Sequence, residues 1–377
     1  MTEQIVALTL LLIASGVTSF VTTAIVKRAA ESIGLVDRPD ERKLHPEATP
    51  RVGGLAIIFG FGFPLLLLAG NSHAAELVTK NISYLFAVLA SGSLVVGLGV
   101  YDDLVGANAP KKFIVQTAAA VILVSFGFEF NFVSLAGQVI QLGVLGYVAS
   151  VVWIVGVINA VNFIDGMDSL ATVVSITIAI AFAVIAIIRR DVFSLVIMTA
   201  LAGTLIGFYP WNKPPAKIFM GDTGSLFIGL VLAACSIAKP SKSPTALIIG
   251  GPMLALALPV LDTLIVMQQR FGELPGQLLP ERRSGRFTQR LTRMFNADRR
   301  HIHHILVLRF GSPGKAIFSI WIVTLMFACS AVLTATEKLR YVGYSLGIAG
   351  FILMLLLRYG RRGPHDADGS AAQQVGA

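Results

Sequence analysis

Eleven long apolar stretches, separated by short hydrophilic segments, make up most of this chain. Most of them approach the roughly 20 residues that an α-helix needs to cross ~30 Å of hydrocarbon. With 55% hydrophobic residues, 14% charged residues and a mean hydropathy of +0.76, the 377-residue chain is predicted to be an all-α, polytopic membrane bundle. The predicted spans cover residues 5–26, 53–70, 82–100, 113–128, 142–161, 169–188, 192–208, 223–238, 244–267, 315–335 and 341–357.

The spans are predicted to form one membrane domain over residues 1–362, and the polar residues 363–377 are predicted to be a disordered tail. The first stretch lacks a preceding basic segment, which favours a retained span over a cleaved signal peptide. Both cysteines, Cys235 and Cys329, lie inside apolar stretches, so we expect them to pack as small hydrophobic side chains.

Basic residues predict the orientation of the spans. Of the 30 lysines and arginines, 22 lie in the C-terminal tail and in the loops of one side, Lys315 lies at a span edge on that side, and seven lie on the other side. The positive-inside rule therefore predicts an outside N-terminus and a cytoplasmic C-terminus. The net charge of +9 mainly reflects this topology, and no nucleic-acid partner is expected because no long basic soluble domain is present.

Five aspartates occur where apolar spans end, all on the predicted cytoplasmic side. Ionisable groups close to hydrocarbon are costly and usually functional. Carboxylate oxygens gathered on one face are the ligands that Mg²⁺ needs to hold a phosphate-bearing substrate. A solvated turn is the alternative explanation for Asp102 and Asp103, and a capped turn with no ligand is the alternative for Asp222. The five are Asp102, Asp103, Asp165, Asp168 and Asp222.

Polar residues recur at three-residue intervals at the end of the fifth span. Asn159, Asn162, Asp165 and Asp168 follow this spacing, which would place amide and carboxylate oxygens on adjoining faces of a helical turn. Asp168 with Ser169 could equally be the N-cap of the sixth span.

Glycines flank the aspartate that precedes the eighth span. Gly221 and Gly224 would allow a ligand to approach the backbone beside Asp222, and the following helix would direct its N-terminal amides toward a diphosphate there. Near the fourth span, Lys111 and Lys112 suit either positive-inside anchoring or phosphate binding, and phosphate binding is favoured for Lys112 because it lies close to the aspartate pair.

The longest hydrophilic stretch, residues 268–314, contains nine arginines and a histidine cluster. Its middle part has apolar residues at helical spacing and is predicted to form an amphipathic helix on the membrane surface. The histidine spacing of i, i+2, i+3 would place only His301 and His304 on one helical face, and no cysteine lies near. Phosphate binding is therefore favoured over zinc. The apolar residues are Phe287, Leu291, Met294 and Phe295, and the basic run is Arg299, Arg300, His301, His303 and His304.

Four blocks in this order resemble the polyprenyl-phosphate N-acetylhexosamine-1-phosphate transferases of glycosyltransferase family 4. They are Asp102-Asp103, the segment Asn159 to Ser169, the run Phe219-Met220-Gly221-Asp222-Thr223-Gly224-Ser225, and His301-Ile302-His303-His304. Residues 37–45 and 50–54 resemble the bacterial branch that uses UDP-N-acetylglucosamine (UDP-GlcNAc).

The resemblance implies transfer of GlcNAc-1-phosphate from UDP-GlcNAc to undecaprenyl phosphate, with release of UMP. Such a step begins O-antigen, common antigen or teichoic-acid synthesis at the cytoplasmic face of the bacterial inner membrane. The resemblance also implies Mg²⁺ as the cofactor, for which Mn²⁺ could substitute. It implies that membrane lipid surrounds the protein, and it allows a homodimer. The runner-up activity is phospho-N-acetylmuramoyl-pentapeptide transfer in peptidoglycan synthesis.

By position in the matched blocks, the resemblance also implies residue roles. Asp222 and Asn162 would bind the metal, Lys112 would pair with the lipid phosphate, and Asp102 would deprotonate or orient that phosphate with support from Asp103. His301 would act at the pyrophosphate. The expected substrate-binding residues are Lys43, Asn159, Asp165, Asp168, Phe219, Arg299, Arg300, His303 and His304.

Two positions depart from the family pattern. Gly106 stands where a third polar or acidic residue often follows the aspartate pair, and Pro46 stands where the peptidoglycan branch carries a lysine. An ion-coupled transporter is the competing function from another class. Transporter sites tend to lie near the bilayer midplane on broken helices. Many transporters also consist of two repeated halves, whereas this sequence has no recognisable internal repeat.

Overall fold

The structure is a computed structural model that describes residues 2–37, 48–69, 81–135, 138–237, 250–272 and 300–360. Two short antiparallel strand pairs connect helices: β1 (Val36–Asp37) with β2 (Thr49–Pro50), and β3 (Phe132–Leu135) with β4 (Gln138–Gln141). The helices are α1 (Thr2–Ser32), α2 (Gly53–Ala69), α3 (Ile82–Val105), α4 (Ala109–Ser125), α5 (Val144–Ile164), α6 (Leu170–Arg189), α7 (Val192–Asn212), α8 (Gly221–Ile237), α9 (Gly250–Ala255), α10 (Ala257–Gly272), α11 (Ile302–Phe310), α12 (Pro313–Ala335) and α13 (Arg340–Tyr359).

Within the described ranges, seven helical segments are long and apolar enough to cross a membrane. They correspond to α1, α3, α5, α6, α7, α12 and α13. The expected all-α polytopic fold is therefore confirmed. The predicted amphipathic helix around Phe287 and the predicted tail after residue 362 lie outside the described residues.

The ninth predicted span is divided into α9 and α10. Pro259 has no backbone N–H, so it cannot donate to the carbonyl of Ala255, where α9 ends. The sequence analysis treated this stretch as one helix because its apolar character continues through the break.

Helix α8 lies at the centre of the bundle. It packs against α2, α3 and α5, and each of its residues except Asp222 is buried. A helix that is apolar on all sides can be surrounded by protein or by lipid, and α8 is surrounded by protein. The bundle therefore holds the Asp222 end of α8 at a fixed place relative to the ends of α3 and α5.

Helix α4 begins four residues before the apolar stretch that predicted it. The side chain of Asn108 accepts a hydrogen bond from the backbone N–H of Lys111 at 3.2 Å, and Pro110 lies in the first turn, where its missing N–H costs nothing. Lys111 and Lys112 thus belong to the first helical turn rather than to a loop. This cap fixes the direction in which Lys112 leaves the helix.

Close packing between α3 and α8 depends on a glycine. A Cβ atom at Gly99 would overlap the Cα and backbone nitrogen of Thr223, next to Asp222. A Cβ atom at Gly97, two residues earlier on the same helix, would meet no atom within 4 Å. Only Gly99 is therefore required by the contact that brings the two helix ends together.

We expect Gly99→Ala to lower the stability of the protein in detergent, because overpacking a close helix contact costs about 1–3 kcal/mol. The matched variant Gly97→Ala should leave the melting temperature unchanged or slightly higher, since alanine favours a helix by about 1 kcal/mol over glycine. Thermal unfolding of the two variants measures the difference. Equal melting temperatures would contradict the proposed contact.

Candidate active site

Three charged side chains from three helices meet at the start of α8. The Lys112 ammonium lies 2.5 Å from Oδ2 of Asp102, near the end of α3, and 2.5 Å from Oδ2 of Asp222. Two carboxylates that contact the same ammonium lie close enough to repel each other unless a cation lies between them. Lys112 provides that cation, so the three residues form one compact charged group at the edge of the bundle.

Asp103 has a different environment from its neighbour. Its Oδ1 accepts the backbone N–H of Asp222 at 2.8 Å, and its Oδ2 accepts the backbone N–H and the hydroxyl of Thr223 at 3.0 and 2.6 Å. The carboxylate therefore caps the N-terminus of α8 from another helix. Asp103 therefore occupies two of the amides that were expected to face a diphosphate.

Glycine is required at two turns beside this charged group. Gly221 has φ +70°, and a Cβ atom there would lie 2.8 Å from Oδ2 of Asp103. Gly106 has φ +87° and ends α3, where its N–H donates to the carbonyl of Asp102. The departure from the family pattern at Gly106 thus has a backbone reason, since other residues rarely adopt a positive φ.

The end of α5 contributes Asn162 and Asp165. Nδ2 of Asn162 donates to the hydroxyl of Ser225 at 2.9 Å, and the amide also hydrogen-bonds Asp222. Asp165 directly follows α5. Burial, and then the charges of Asp222 and Asp103, raise the pKa of the Asp165 carboxyl well above its usual range. Asp165 therefore belongs electrostatically to the same group.

Asn159 lies one helical turn before Asn162 and faces a neighbouring helix. Its Nδ2 donates to Oε1 of Gln116 at 2.7 Å and to the carbonyl of Val155 at 2.8 Å. In return, Nε2 of Gln116 donates to Oδ1 of Asn159 at 3.4 Å. This amide pair joins α5 to α4. The structure thus places Asn159 in helix packing below the charged group.

Asp168 holds the loop between α7 and α8. Its Oδ2 accepts the backbone N–H of Ala216 at 2.9 Å. Ser169 has φ +61° and its side chain makes no capping hydrogen bond, so the alternative of an ordinary N-cap was wrong. Instead Asn212, buried at the end of α7, accepts the Ser169 N–H at 3.1 Å and the Thr172 hydroxyl at 2.7 Å.

The chain before α8 is joined to the start of α2. The Phe219 N–H donates to the carbonyl of Pro50 at 2.8 Å, and the Gly53 N–H donates to the carbonyl of Phe219 at 3.0 Å. The Phe219 side chain is half-buried. These bonds hold residues 50–54 beside the charged group, and the positive charge of the exposed Arg51 opposes the rise in the pKa of Asp165.

The histidine cluster packs against the turn after α5. The rings of His301 and Phe163 lie 5.3 Å apart, and a Cβ atom on Gly166 would lie 2.5 Å from Nε2 of His303. Burial, and then the rings of His304 and His301, lower the pKa of His303 to about 3. His303 is therefore neutral at pH 7, and the fourth block of the sequence lies against the second block at Phe163 and Gly166.

All three histidine rings lie together, which helical spacing did not predict. His301 precedes α11 and has an extended backbone, so its ring stacks on that of His303 at 5.9 Å with an interplanar angle of 9°. The rings of His303 and His304 lie 4.2 Å apart. The expectation that only His301 and His304 would share a face was wrong because the helix begins one residue later.

Two expected substrate-binding residues, Lys43 and Arg299, lie outside the described residues. Arg300 lies directly before the histidine cluster, and its carbonyl accepts a hydrogen bond from Arg358 at 2.9 Å. Asp262 and Arg358, which the sequence patterns did not predict as site residues, are 2% and 4% exposed and contact this segment. An aspartate inside the ninth predicted span was the available signal, because buried ionisable groups are seldom tolerated without a purpose.

The donor set at the start of α8 fits a magnesium ion. Mg²⁺ prefers oxygen ligands and commonly takes one or two carboxylates together with water and substrate phosphates. Asp222 and the side-chain oxygen of Asn162 could supply protein ligands. No three His, Cys, Asp or Glu side chains among the residues described are grouped closely enough to hold a cation by themselves. Substrate phosphate oxygens and water would therefore have to complete the coordination.

Comparison with known proteins identifies the family. Residues 85–239 match the model of glycosyl transferase family 4. A Bacillus subtilis protein named "Probable undecaprenyl-phosphate N-acetylglucosaminyl 1-phosphate transferase" is 32% identical over 94% of this chain and 92% of its own length. The chain belongs to glycosyl transferase family 4. The matched region contains the first three blocks, and the alignment with the Bacillus protein spans nearly the whole chain.

Two further relatives represent different acceptors or donors within the family. A Mycolicibacterium smegmatis protein named decaprenyl-phosphate N-acetylglucosaminephosphotransferase is 29% identical over 94% of this chain and 89% of its own length. A Streptococcus pneumoniae phospho-N-acetylmuramoyl-pentapeptide-transferase is 32% identical over 70% of this chain and 82% of its own length. Both branches considered in the sequence analysis are thus represented.

We expect Asp103→Asn to destabilise the start of α8, because the amide NH₂ would face one of the groups that now donate a hydrogen bond to the carboxylate. A buried N–H left without an acceptor costs about 1–3 kcal/mol. Thr223→Ala should have a smaller effect in the same direction, and Thr223→Ser, which keeps the hydroxyl, should resemble the parent protein. Melting temperature and amide exchange at residues 222–223 measure these effects. Unchanged exchange in Asp103→Asn would contradict the capping role.

Proposed function

We propose that this protein transfers GlcNAc-1-phosphate from UDP-GlcNAc to undecaprenyl phosphate. Family membership and the similarity to the Bacillus subtilis protein over 94% of the chain support this proposal. The geometric observation that carries it is the contact of Lys112 with both Asp102 and Asp222 at the edge of an apolar bundle. A water-soluble nucleotide sugar and a lipid phosphate can meet at such a boundary.

In this reaction a phosphate oxygen of undecaprenyl phosphate forms a bond to the β-phosphorus of UDP-GlcNAc. The bond from that phosphorus to the bridging oxygen breaks, and UMP leaves with the oxygen and the electron pair. Undecaprenyl-pyrophosphoryl-GlcNAc is the product. Catalysis of phosphoryl transfer depends mainly on positioning the reactants and stabilising negative charge. A cationic and acidic group of side chains is suited to both tasks.

Lys112 is assigned to bind the acceptor phosphate. Its ammonium is held by Asp102 and Asp222 in the structure, so its position is set without a substrate. Asp102 would orient the same phosphate. The second pKa of a phosphate monoester is near 6, so the acceptor is already largely ionised at pH 7 and needs little help from a base. Asp103 would support both residues by fixing the turn at Asp222.

Asp222 and Asn162 are assigned as ligands of Mg²⁺, for which Mn²⁺ could substitute. When bound, the metal would neutralise charge on the diphosphate and stabilise the leaving UMP. Asp222 lies beside Asn162 and Ser225 at the start of α8, which gives the carboxylate a defined orientation.

The remaining expected residues would surround the donor. Asp165, Asp168 and Phe219 lie in or beside turns next to the charged group and would hold the nucleotide or sugar, and Asn159 would support them through its packing with Gln116. The basic run would close over the pyrophosphate. Within this run, the ring of His301 packs against that of Phe163. Its members are Arg299, Arg300, His301, His303 and His304, and Lys43 is the further expected contact.

We place the site at the cytoplasmic face of the bacterial inner membrane, with the N-terminus outside and the C-terminus inside. The asymmetric distribution of lysine and arginine supports this orientation. The product would enter synthesis of O-antigen, common antigen or teichoic acid. A homodimer in the membrane is compatible with this arrangement.

We expect UMP release from UDP-GlcNAc to require both undecaprenyl phosphate and Mg²⁺, and to stop when EDTA is added. Asp222→Asn should lower turnover by about 10²–10³-fold, as loss of a transition-state charge stabiliser does. Asp191→Asn is the matched control, because Asp191 caps the opposite end of α7. Near-normal turnover in Asp222→Asn, or equal loss in both variants, would refute the metal-ligand assignment.

Transfer of phospho-N-acetylmuramoyl-pentapeptide is the second candidate, and the Streptococcus pneumoniae relative favours it. We expect kcat/KM for UDP-GlcNAc to exceed that for UDP-N-acetylmuramoyl-pentapeptide by about 100-fold or more, since unmatched polar groups are rejected strongly by a built site. A panel of UDP-sugars assayed with one acceptor measures this ratio. A ratio below one would transfer the assignment to the peptidoglycan branch.

An ion-coupled transporter is disfavoured by family membership. The five aspartates also lie at or just beyond helix ends rather than at the middle of broken helices.

A further inference from the structure

A buried carboxylate holds the backbone and the first ring of the histidine cluster. Asp262, on α10, is 2% exposed. Its Oδ2 lies 2.8 Å from Nδ1 of His301, and its Oδ1 accepts the backbone N–H of Ile302 at 3.0 Å. Oδ1 also accepts Nη1 of Arg358 at 2.6 Å. Three groups from two other segments of the chain therefore converge on one side chain.

Arg358, near the end of α13, joins the same segment to the C-terminal helix. Besides Asp262, its guanidinium donates to the carbonyl of Arg300 at 2.9 Å and contacts Oε1 of Gln269 at 3.4 Å. Arg309, at the other end of α11, donates to the carbonyl of Gly360 at 2.8 Å. The end of α13 is thus bonded to both ends of the histidine helix.

The ion pair between Asp262 and Arg358 is not explained by the packing of an apolar bundle. Burying both charges is costly, and apolar residues of similar volume often stabilise a protein as well or better. Each partner, however, also contacts the histidine segment directly. The arrangement is therefore better explained by what it does to His301.

An ionised carboxylate can only accept hydrogen bonds, so Nδ1 of His301 must carry the proton that it donates to Asp262. The opposite ring nitrogen, Nε2, takes no part in the hydrogen bond to Asp262. Such a carboxylate fixes both the orientation and the tautomer of an imidazole, as it does for histidines in metal sites and catalytic triads.

We propose that Asp262 and Arg358 are positioning residues for His301, and that Arg358 acts by compensating the charge of Asp262. The proposal rests on the proposed function, in which His301 faces the pyrophosphate. Asp262 holds the ring against Phe163 with Nε2 available to the phosphate oxygens of the substrate. Neither residue itself touches the substrate.

The test compares Asp262→Asn, Arg358→Gln and the double variant with the parent protein and with Asp191→Asn as a control. In Asp262→Asn, kcat for UMP release should fall about 10- to 100-fold while KM for UDP-GlcNAc stays within about twofold, since the oriented ring acts on the reacting phosphates. Arg358→Gln keeps the carboxylate beside His301, so its kcat should fall less.

Melting temperature separates positioning from charge balance. Each single variant leaves one buried charge without its partner and should melt at a lower temperature, whereas the double variant removes both charges and should recover much of that loss. The kcat of the double variant should nevertheless remain as low as that of Asp262→Asn. Recovery of kcat together with melting temperature, or a normal kcat in Asp262→Asn, would overturn the positioning role.

A second readout does not depend on activity. Carbethoxylation of His301 by diethyl pyrocarbonate, followed by peptide mass spectrometry, reports the nucleophilicity of the ring. Loss of the carboxylate should lower this rate several-fold in Asp262→Asn and in the double variant, but not in Asp191→Asn. An unchanged rate would overturn the inference. An inactive parent protein with the expected changes in labelling would instead refute the proposed function and leave the contact of Asp262 with His301 supported.

Discussion

Charges at the edge of an apolar bundle have to be neutralised, and this requirement organises the site. Asp102 and Asp222 come from different helices, and Lys112 lies between them at 2.5 Å from each. Burial, and then the charges of Asp222 and Asp103, raise the pKa of Asp165, so the lysine leaves part of the carboxylate charge without a cation beside it. An additional cation, or the positive groups around a bound diphosphate, would relieve the remaining field. That excess of negative charge is the feature of the fold on which the proposed binding of Mg²⁺ and a diphosphate depends.

The central helix determines where these charges can be. Because α8 is buried on all sides, its first turn can move only if α2, α3 and α5 move with it. Asp103 ties that turn to α3, and the bonds of Phe219 with Pro50 and Gly53 tie the preceding residues to α2. Positioning of the reactants is the main contribution that a protein makes to phosphoryl transfer. The fold therefore provides rigidity where the proposed chemistry requires it.

Sequence patterns predicted the all-α apolar fold and the position of the aspartates at helix ends because both depend on local properties, namely apolar length and charge at span ends. They could not separate Asp102 from Asp103, whose different roles depend on which carboxylate faces α8. Nor could they predict the stacking of His301 on His303, which depends on where α11 begins. The division of the ninth span at Pro259 was visible in the sequence but was outweighed by its hydrophobicity. Asp262 and Arg358 are 96 positions apart, so no local pattern joins them.

The two halves of the site are held in different ways. The acidic half consists of helix ends that pack directly around α8, and its contacts include backbone N–H groups of that helix. The histidine half sits on a short helix, and its position depends on side chains from α10 and α13. Phe163 and Gly166 lie where the halves touch, directly after the residues that contact Asp222. A displacement of the histidine half would therefore change its distance to the proposed diphosphate site. Because catalytic geometry must be held within a fraction of an ångström, a buried ion pair in this position serves precision of placement more than stability of the fold.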